Sequence, residues 1–140
     1  RRVGRQPITL GLRAMDSEEK EQARLATYLD AKGYVWFHVP NGGHRHKVIA
    51  AKMKRAGQKR GAPDCILISG EGGAPLSRPI AIELKRVSGG SLSKHQKYFL
   101  GEMKKCGWDT FVAKGSQAAI DWLVEKVEKA TNEKKGEENE

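Results

Sequence analysis

Apolar residues recur along the chain at two spacings, one typical of helices and one typical of strands. Leu25 and Leu29 lie four residues apart on one helix face, and Asp16 followed by Glu19 has the spacing of a capping box, so we predict a helix over 17–32. Runs of β-branched and aromatic residues bounded by glycine or proline predict strands. The other predicted elements are strands at 34–40, 64–69, 80–87 and 108–113, and helices at 47–57, 91–107 and 116–130.

The order of these elements predicts one mixed domain. Helices and strands alternate without a repeat, which indicates an α/β or α+β fold with a small mixed sheet flanked by helices. With 140 residues the chain can build one core, and we place this domain at 16–130. A basic arm, 1–15, precedes it. A charged tail, 131–140, follows and is expected to be disordered because it lacks apolar residues. The segment 70–79, rich in glycine and proline, is predicted to be a loop.

The stretch PIAIELKRVSGG (79–90) contains a predicted strand with two charges on one face. Side chains alternate along a strand, so Glu83 and Lys85 point to one side while Ile82 and Leu84 point to the other. Burying unpaired charges inside a sheet is unfavourable. Two explanations fit this pattern. The two residues form an ion pair on a face open to water, or the face contacts a ligand.

Three other polar residues stand at or beside positions that the pattern marks as buried. Stepping back one turn from Leu25 places Glu21 on the inward stripe of the first helix. Asp64 follows a Gly-Ala-Pro turn directly before an apolar run, where a turn-forming role is the alternative. Gln96 lies three residues after Ser93, which also fits a capping box that starts the helix. Each signal is weak alone, but together they describe a candidate site.

The net charge of +9 is concentrated in the first part of the chain. Residues 1–60 hold 14 Lys and Arg against 5 Asp and Glu, whereas residues 61–140 hold 12 of each. The run HRHKVIAAKMKRAGQKR, from His44 to Arg60, has seven Lys and Arg and no acidic residue. A solvated basic helix is one interpretation. The other is a surface that contacts a nucleic-acid backbone, because clustered basic residues attract phosphates.

Carboxylates and a lysine beside a basic surface favour one chemistry. Hydrolysis of a phosphodiester bond uses hard oxygen ligands that hold Mg2+ or Mn2+, and Asp and Glu supply them. A lysine two residues along the strand from a metal-binding glutamate can reach the attacking water or the phosphate. The sequence therefore predicts a metal-dependent nuclease. It shows no aromatic-rich surface for stacking single strands.

The same residues resemble a known nuclease family. Pro63 and Asp64, followed by the ELK of Glu83 to Lys85, resemble the PD-(D/E)xK motif. An N-terminal helix with EQ, then NGGHR, GAPD, IELKR and SLSKHQ, resembles more narrowly the VRR-NUC branch of that superfamily, in particular its small stand-alone, phage-type members. The resemblance covers about 17–125. It implies a restriction-endonuclease-like core, metal-dependent DNA cleavage and, for stand-alone members, a homodimer that acts on branched DNA such as Holliday junctions.

The resemblance also implies roles for individual residues. Asp64 and Glu83 would bind the metal together with the backbone carbonyl of Leu84, and Lys85 would orient the attacking water or stabilise the transition state. Glu21 would be the helical glutamate that assists in binding the metal or the water, with Glu18 as a competing assignment. Gln96 would position water or phosphate. The residues implied to contact DNA are Asn41, Arg45, Lys47, Lys52, Lys54, Arg55, Lys59 and Arg60. The motif does not need His44, His46 or His95 as a general base.

Other functions stay open. A non-catalytic basic DNA-binding module is the main alternative, although carboxylates set against a phosphate-binding surface would repel DNA unless a cation lay between them. A flap-directed, single-strand-directed or RNA-directed nuclease of the same fold is a further one. No apolar run approaches the roughly 20 residues of a membrane span. Cys65 and Cys106 have no zinc or disulfide spacing, so we expect reduced thiols and a cytoplasmic location, in a bacterial host if the protein is phage-encoded.

Overall fold

The computed structural model describes residues 17–41 and 46–139. The predicted basic arm and the predicted cap at Asp16 lie outside these ranges, as do His44 and Arg45. The helices are α1 (Ser17–Lys32), α2 (Lys47–Arg55), α3 (Lys94–Lys105), α4 (Ser116–Leu123) and α5 (Lys129–Glu138), and the strands are β1 (Val35–His38), β2 (Cys65–Ser69), β3 (Pro75–Lys85) and β4 (Asp109–Lys114).

The four strands form one mixed sheet in the order β1-β2-β3-β4. β1 pairs antiparallel with β2, and β2 pairs antiparallel with β3. β3 and β4 are parallel because α3 carries the chain back between them, as a parallel connection requires. The predicted α+β architecture, a small mixed sheet flanked by helices, is confirmed.

The core lies between one face of the sheet and the helices α1 and α4. Leu25 and Leu29 of α1 are fully buried, as the i, i+4 stripe predicts, and they pack with Ile80, Ile82 and Leu123. Burying a leucine or isoleucine side chain contributes about 1.5–3 kcal/mol to the stability of the fold. Because β3 uses one face for this core, its alternate residues, which include Glu83 and Lys85, lie on the opposite face.

The predicted loop at 70–79 is wrong in its second half. β3 begins at Pro75 and pairs there with Ser69 of β2, so the two strands form a tight hairpin. The short 3₁₀ turn Glu71–Gly73 makes this possible, since Gly72 and Gly73 adopt positive φ angles of 64° and 78° that suit glycine. Proline is tolerated as the first residue of a strand, where its missing N–H breaks no ladder.

The predicted disordered tail is helical in the structure. A π-type turn, Val124–Glu128, follows α4 and leads directly into α5. α5 buries no residue, so its helix depends on local preference: Lys, Glu and Ala are good helix formers, and a Lys129–Glu125 ion pair supports its start. The absence of apolar residues indicated correctly that this segment does not pack, but it does not prevent a surface helix.

No helix within the described ranges is both long enough and apolar enough to cross a membrane.

Candidate active site

Antiparallel pairing of β2 and β3 brings Asp64 beside Glu83. Cys65 stands opposite Ile82, so the residue before β2 lies next to the end of β3. One carboxylate oxygen of Asp64, Oδ2, accepts a hydrogen bond from the backbone N–H of Leu84 at 2.7 Å. This bond holds the Asp64 side chain against the strand that carries Glu83. We call Asp64 and Glu83 the carboxylate pair.

Glu83 is a buried carboxylate with one oxygen bonded and one not. The residue is 3% exposed. Its Oε1 accepts a hydrogen bond from Gln96 Nε2 at 2.8 Å, whereas its buried Oε2 receives none from the residues that the structure describes. Burial, reinforced by the neighbouring Asp64 charge, raises the pKa of Glu83 to about 8. Burial also raises the pKa of Asp64. Both carboxyl groups can therefore be charged at neutral pH only when a cation lies beside them.

Lys85 and Gln96 complete a network around Glu83. Lys85 Nζ donates to Gln96 Oε1 at 2.9 Å and lies 3.8 Å from Glu83 Oε1. Gln96 Oε1 also accepts from the backbone N–H of Ser93, and Ser93 Oγ accepts from the N–H of Gln96, so the predicted capping box is present. Gln96 is therefore part of the capping box of α3, and the cap fixes its amide against Glu83 and Lys85.

The carboxylate pair suits a divalent cation that keeps positions for water and substrate. Mg2+ in proteins is commonly bound by one or two carboxylates together with water and phosphate oxygens. The unpaired Oε2 of Glu83 is an oxygen to which such an ion would supply the missing positive partner. In the described part of the chain no three His, Cys, Asp or Glu side chains form a metal cage. A bound ion would thus use this pair with backbone, water or substrate oxygens.

An open groove with a volume of about 1930 Å³ runs past the carboxylate pair. We call it the groove. It is bordered by the start of α1, the end of β1, the groove side of α2, the loop 57–62 and α3. Its lining includes Leu84, Lys85, His95 and Gln96 as well as the pair. The groove therefore brings together four predicted side chains from three separate segments of the chain: Asp64, Glu83, Lys85 and Gln96.

The basic residues predicted to contact DNA divide into two sets. Those that line the groove are Lys54, Lys59 and Arg60. Those that are exposed but do not line it are Lys47, Lys52 and Arg55. Arg45 is outside the described residues. None of these six basic residues forms an ion pair with another residue that the structure describes. Their positive charge is therefore available to a phosphate backbone.

Asn41 has a structural role in the groove wall. Its Nδ2 donates to the carbonyl of Ala62 at 3.2 Å, and its Oδ1 accepts from Gln58 Nε2 at 3.2 Å. Both ends of the amide are thus used to hold the loop 57–62. The same loop needs glycine at Gly61, where φ is 84° and a Cβ would collide with the backbone of His95. This close approach sets Arg60 next to the start of α3.

Comparison with known proteins agrees with this geometry. The family model described as the VRR-NUC domain matches residues 16–117, which include the carboxylate pair, Lys85 and Gln96. The chain belongs to the VRR-NUC family. This is a nuclease-type domain family, so a DNA nuclease is the function at the level of the family. None of the curated protein sequences matches the chain.

Two solved structures share the fold of this VRR-NUC domain. One, named a VRR_NUC domain protein, is 22% identical with a TM-score of 0.63, and the match covers 81% of this chain and 90% of that chain. The other, named a VRR_NUC domain, is 19% identical with a TM-score of 0.56, and the match covers 81% of this chain and 99% of that chain. Because both structures are less than a quarter identical to this chain, the likeness shows a shared fold and nothing more.

The side chain of Glu21 does not line the groove of this VRR-NUC domain. Its Oε2 accepts hydrogen bonds from the backbone N–H and the Oγ of Ser116, at 2.6 Å and 2.5 Å. Glu21 thus caps the first turn of α4, where a negative charge is favoured by the helix dipole. The structure therefore does not bring the predicted site residue Glu21 together with the carboxylate pair. Glu18, the competing assignment one turn earlier, does line the groove, as does Gln22.

We expect Glu21→Gln to destabilise the fold and to leave the site intact. The hydrogen bonds from Ser116 lower the pKa of Glu21 below its ordinary value of 4.5, so the folded state favours the charged form. The stabilisation is present above that ordinary value and is lost as the pH falls through the lowered pKa. Near pH 7 the variant should lose about 1.5–3 kcal/mol of unfolding free energy, the range for hydrogen bonds to charged groups. Urea unfolding at several pH values measures it.

The control for this prediction is Glu133→Gln, an exposed glutamate of α5 that should not change stability. The wild type and Glu21→Gln should converge in stability at acidic pH. Loss of DNA cleavage by a variant that remains folded would contradict the structural role and return Glu21 to the site.

Sequence reasoning missed His38, which also lines the groove. His38 Nδ1 lies 2.8 Å from the backbone carbonyl oxygen of Asp64, and since a carbonyl only accepts, the ring nitrogen donates. The bond fixes the backbone at the start of β2. Strand alternation was the available signal, because His38 and Trp36 share a face of β1. Nothing in the sequence shows that this face borders the groove.

Proposed function

We propose that this VRR-NUC domain is a divalent-metal-dependent DNA endonuclease of the PD-(D/E)xK type that hydrolyses phosphodiester bonds in branched DNA. One observation carries the proposal. Asp64 and Glu83 lie side by side with Glu83 Oε2 buried and without a donor among the described residues, and Lys85 stands 3.8 Å from the other oxygen. A buried carboxylate oxygen without a donor is unfavourable unless a proton or a cation lies beside it. A site for a cation and a phosphate would leave one oxygen open.

The residues that would hold Mg2+ or Mn2+ are Asp64, Glu83 and, through its backbone carbonyl, Leu84. Such an ion, when bound, lowers the pKa of water and offsets the charge that develops on the phosphate. The protein contributes preorganisation. The Leu84 amide fixes Asp64, and Gln96 fixes Glu83, so neither carboxylate must reorient when substrate arrives. Glu18, which lines the groove, is the helical carboxylate to which we assign the assisting role.

Lys85 would act directly on the substrate. Gln96 Oε1 accepts one of the three N–H bonds of its ammonium group, which leaves donors for a phosphate oxygen or for the attacking water. Its side chain is 12% exposed, so its charge acts where bulk water screens little. In hydrolysis the water oxygen forms the new bond to phosphorus as the bond to the leaving oxygen breaks. Lys85 would stabilise the negative charge that this transfer builds up.

The test is a cleavage assay on four labelled substrates: four-way junction, flap, linear duplex and single-stranded DNA. Each is incubated with Mg2+, Mn2+ or EDTA, and wild type is compared with Asp64→Ala. Cutting that needs a metal, prefers branched DNA and is lost in the variant supports the proposal. Binding without cutting under every metal would identify a DNA-binding module, and preference for flap or single-stranded DNA would assign those substrates instead.

DNA binding should weaken steeply as salt increases. Lys54, Lys59 and Arg60 line the groove without an ion-pair partner among the described residues. Each phosphate neutralised contributes about 0.9 to the slope of log K against log salt concentration. We therefore expect a slope of about −3 or steeper for a duplex, and a slope shallower by about one for Lys59→Ala. Fluorescence anisotropy at several salt concentrations measures both. Equal slopes would remove Lys59 from the interface.

Two further expectations belong to this proposal. Symmetric cutting of a junction needs two active sites, so we propose a homodimer, which light scattering at micromolar concentration tests. A cytoplasmic location fits the two free thiols of Cys65 and Cys106.

A further inference from the structure

Helix α2 presents basic residues on two opposite sides. Ala50 and Lys54 line the groove, and Met53 lines a smaller pocket together with Phe99. Successive residues of an α-helix are separated by about 100°, so Lys52 lies about 160° from both Ala50 and Lys54. Lys52 therefore points away from the groove.

Val48 and Arg55 share that outward side with Lys52. They stand four residues before it and three residues after it, the spacings at which helical side chains are neighbours. Val48 is 56% exposed, Lys52 and Arg55 are exposed, and α2 buries none of its residues. We call Val48, Lys52 and Arg55 the outward face.

The chemistry of the outward face indicates an anionic partner. Neither Lys52 nor Arg55 forms an ion pair with the described residues, and no acidic residue occurs anywhere from His44 to Arg60. A second copy of the chain is a poor occupant. A two-fold contact would bring these cations against their own copies, and one valine is far from the apolar centre of a stable interface of about 800 Å² per partner. A phosphate backbone complements the face.

We propose that the outward face of α2 binds a second duplex arm of the same branched DNA whose first arm lies in the groove. This inference rests on the proposed function, because it names how a branched substrate would be distinguished from a linear one. A linear duplex in the groove meets only the groove side of α2. Two arms that diverge at a branch can pass on both sides of a helix about 10–12 Å wide, with Lys54 facing one backbone and Lys52 facing the other.

The experiment compares two double variants for binding to two DNAs. One is Lys52→Ala with Arg55→Ala, on the outward face; the matched control is Lys54→Ala with Lys59→Ala, in the groove. Each removes two positive charges at exposed positions. Alanine favours helix, so α2 should persist, which circular dichroism checks. All proteins carry Asp64→Ala so that the DNA stays uncut. The substrates are a four-way junction and a linear duplex with the sequence of one arm.

The outward variant should bind the junction about tenfold more weakly and the duplex within about twofold of the parent, because it removes contacts to the second arm alone. The groove variant should weaken binding to both DNAs alike. Equal losses on both DNAs for the outward variant would place the face on the first arm and overturn the proposal. No loss on either would show that the face does not bind DNA, and a change of mass in light scattering would assign it to a second copy.

These outcomes are separate from the failure of the proposed function. If wild-type protein cuts no DNA with any metal, the nuclease proposal fails. The contrast between junction and duplex binding is measured without cleavage, so its result is distinguishable from a failure of the nuclease proposal.

Discussion

Lys85→Ala is expected to reduce the rate of DNA cleavage by about 10²–10³-fold and to leave DNA binding within about twofold of wild type. The expected loss is that of a single preorganised donor to a transition-state charge. Binding should survive because the groove retains Lys54, Lys59 and Arg60. Single-turnover cleavage of a four-way junction gives the rate, and anisotropy with EDTA gives the affinity without turnover.

Lys114→Ala is the matched control for Lys85→Ala. Lys114 stands opposite Lys85 in the β3–β4 register, is exposed and does not line the groove, so its loss changes the charge equally without touching the site. Unchanged cleavage by Lys85→Ala would remove Lys85 from the chemistry. Equal loss of cleavage and binding would make it a DNA contact only. Lys85→Arg should recover part of the rate if a positive donor is the requirement.

Glu83→Gln is expected to abolish stabilisation of the fold by Mg2+ or Mn2+. A metal that binds only the folded wild type raises the unfolding free energy by about 2.7 kcal/mol at 100 times its Kd, which corresponds to a rise in Tm of several degrees. The variant lacks one charge of the carboxylate pair, so its Tm should not respond. Glutamine keeps the oxygen that accepts from Gln96, and its amide N–H can donate to Asp64.

Differential scanning fluorimetry with and without each metal measures this effect without DNA or turnover. In EDTA the variant should be at least as stable as wild type, because it no longer buries two carboxyl groups side by side. The control is Glu133→Gln, which should show the wild-type response. A metal-induced rise in the Tm of Glu83→Gln equal to that of wild type would place the metal elsewhere.

Local patterns predicted most of the elements and the centre of the site. α1 occupies the predicted range, 17–32, and the sheet strands lie within a few residues of their predicted positions, apart from the early start of β3. Glu83 and Lys85 share a strand face because alternation requires it. Ser93 and Gln96 form a capping box because their spacing allows it. These features depend on neighbours within a few residues, which a sequence displays.

Features that depend on distant parts of the chain could not be predicted in this way. Periodicity placed Glu21 on the inward face of α1, correctly, but not the partner that it meets there, Ser116, 95 residues away. Asn41, implied as a DNA contact, lines the groove, and the sequence did not indicate that its amide also bonds to Gln58 and Ala62. A pattern gives the direction of a side chain and leaves its partner open.

The sequence by itself determined the residue types of a phosphodiester-cleaving site, the strand and cap that carry them, and the basic segment beside them. The tertiary structure decided that Asp64 meets Glu83, that one oxygen of Glu83 is left without a described donor, and that α2 turns Lys54 toward the groove and Lys52 away from it. The physical reason is that strand alternation and helix capping act over a few residues, whereas burial and the meeting of charges are set by packing between segments far apart in the chain.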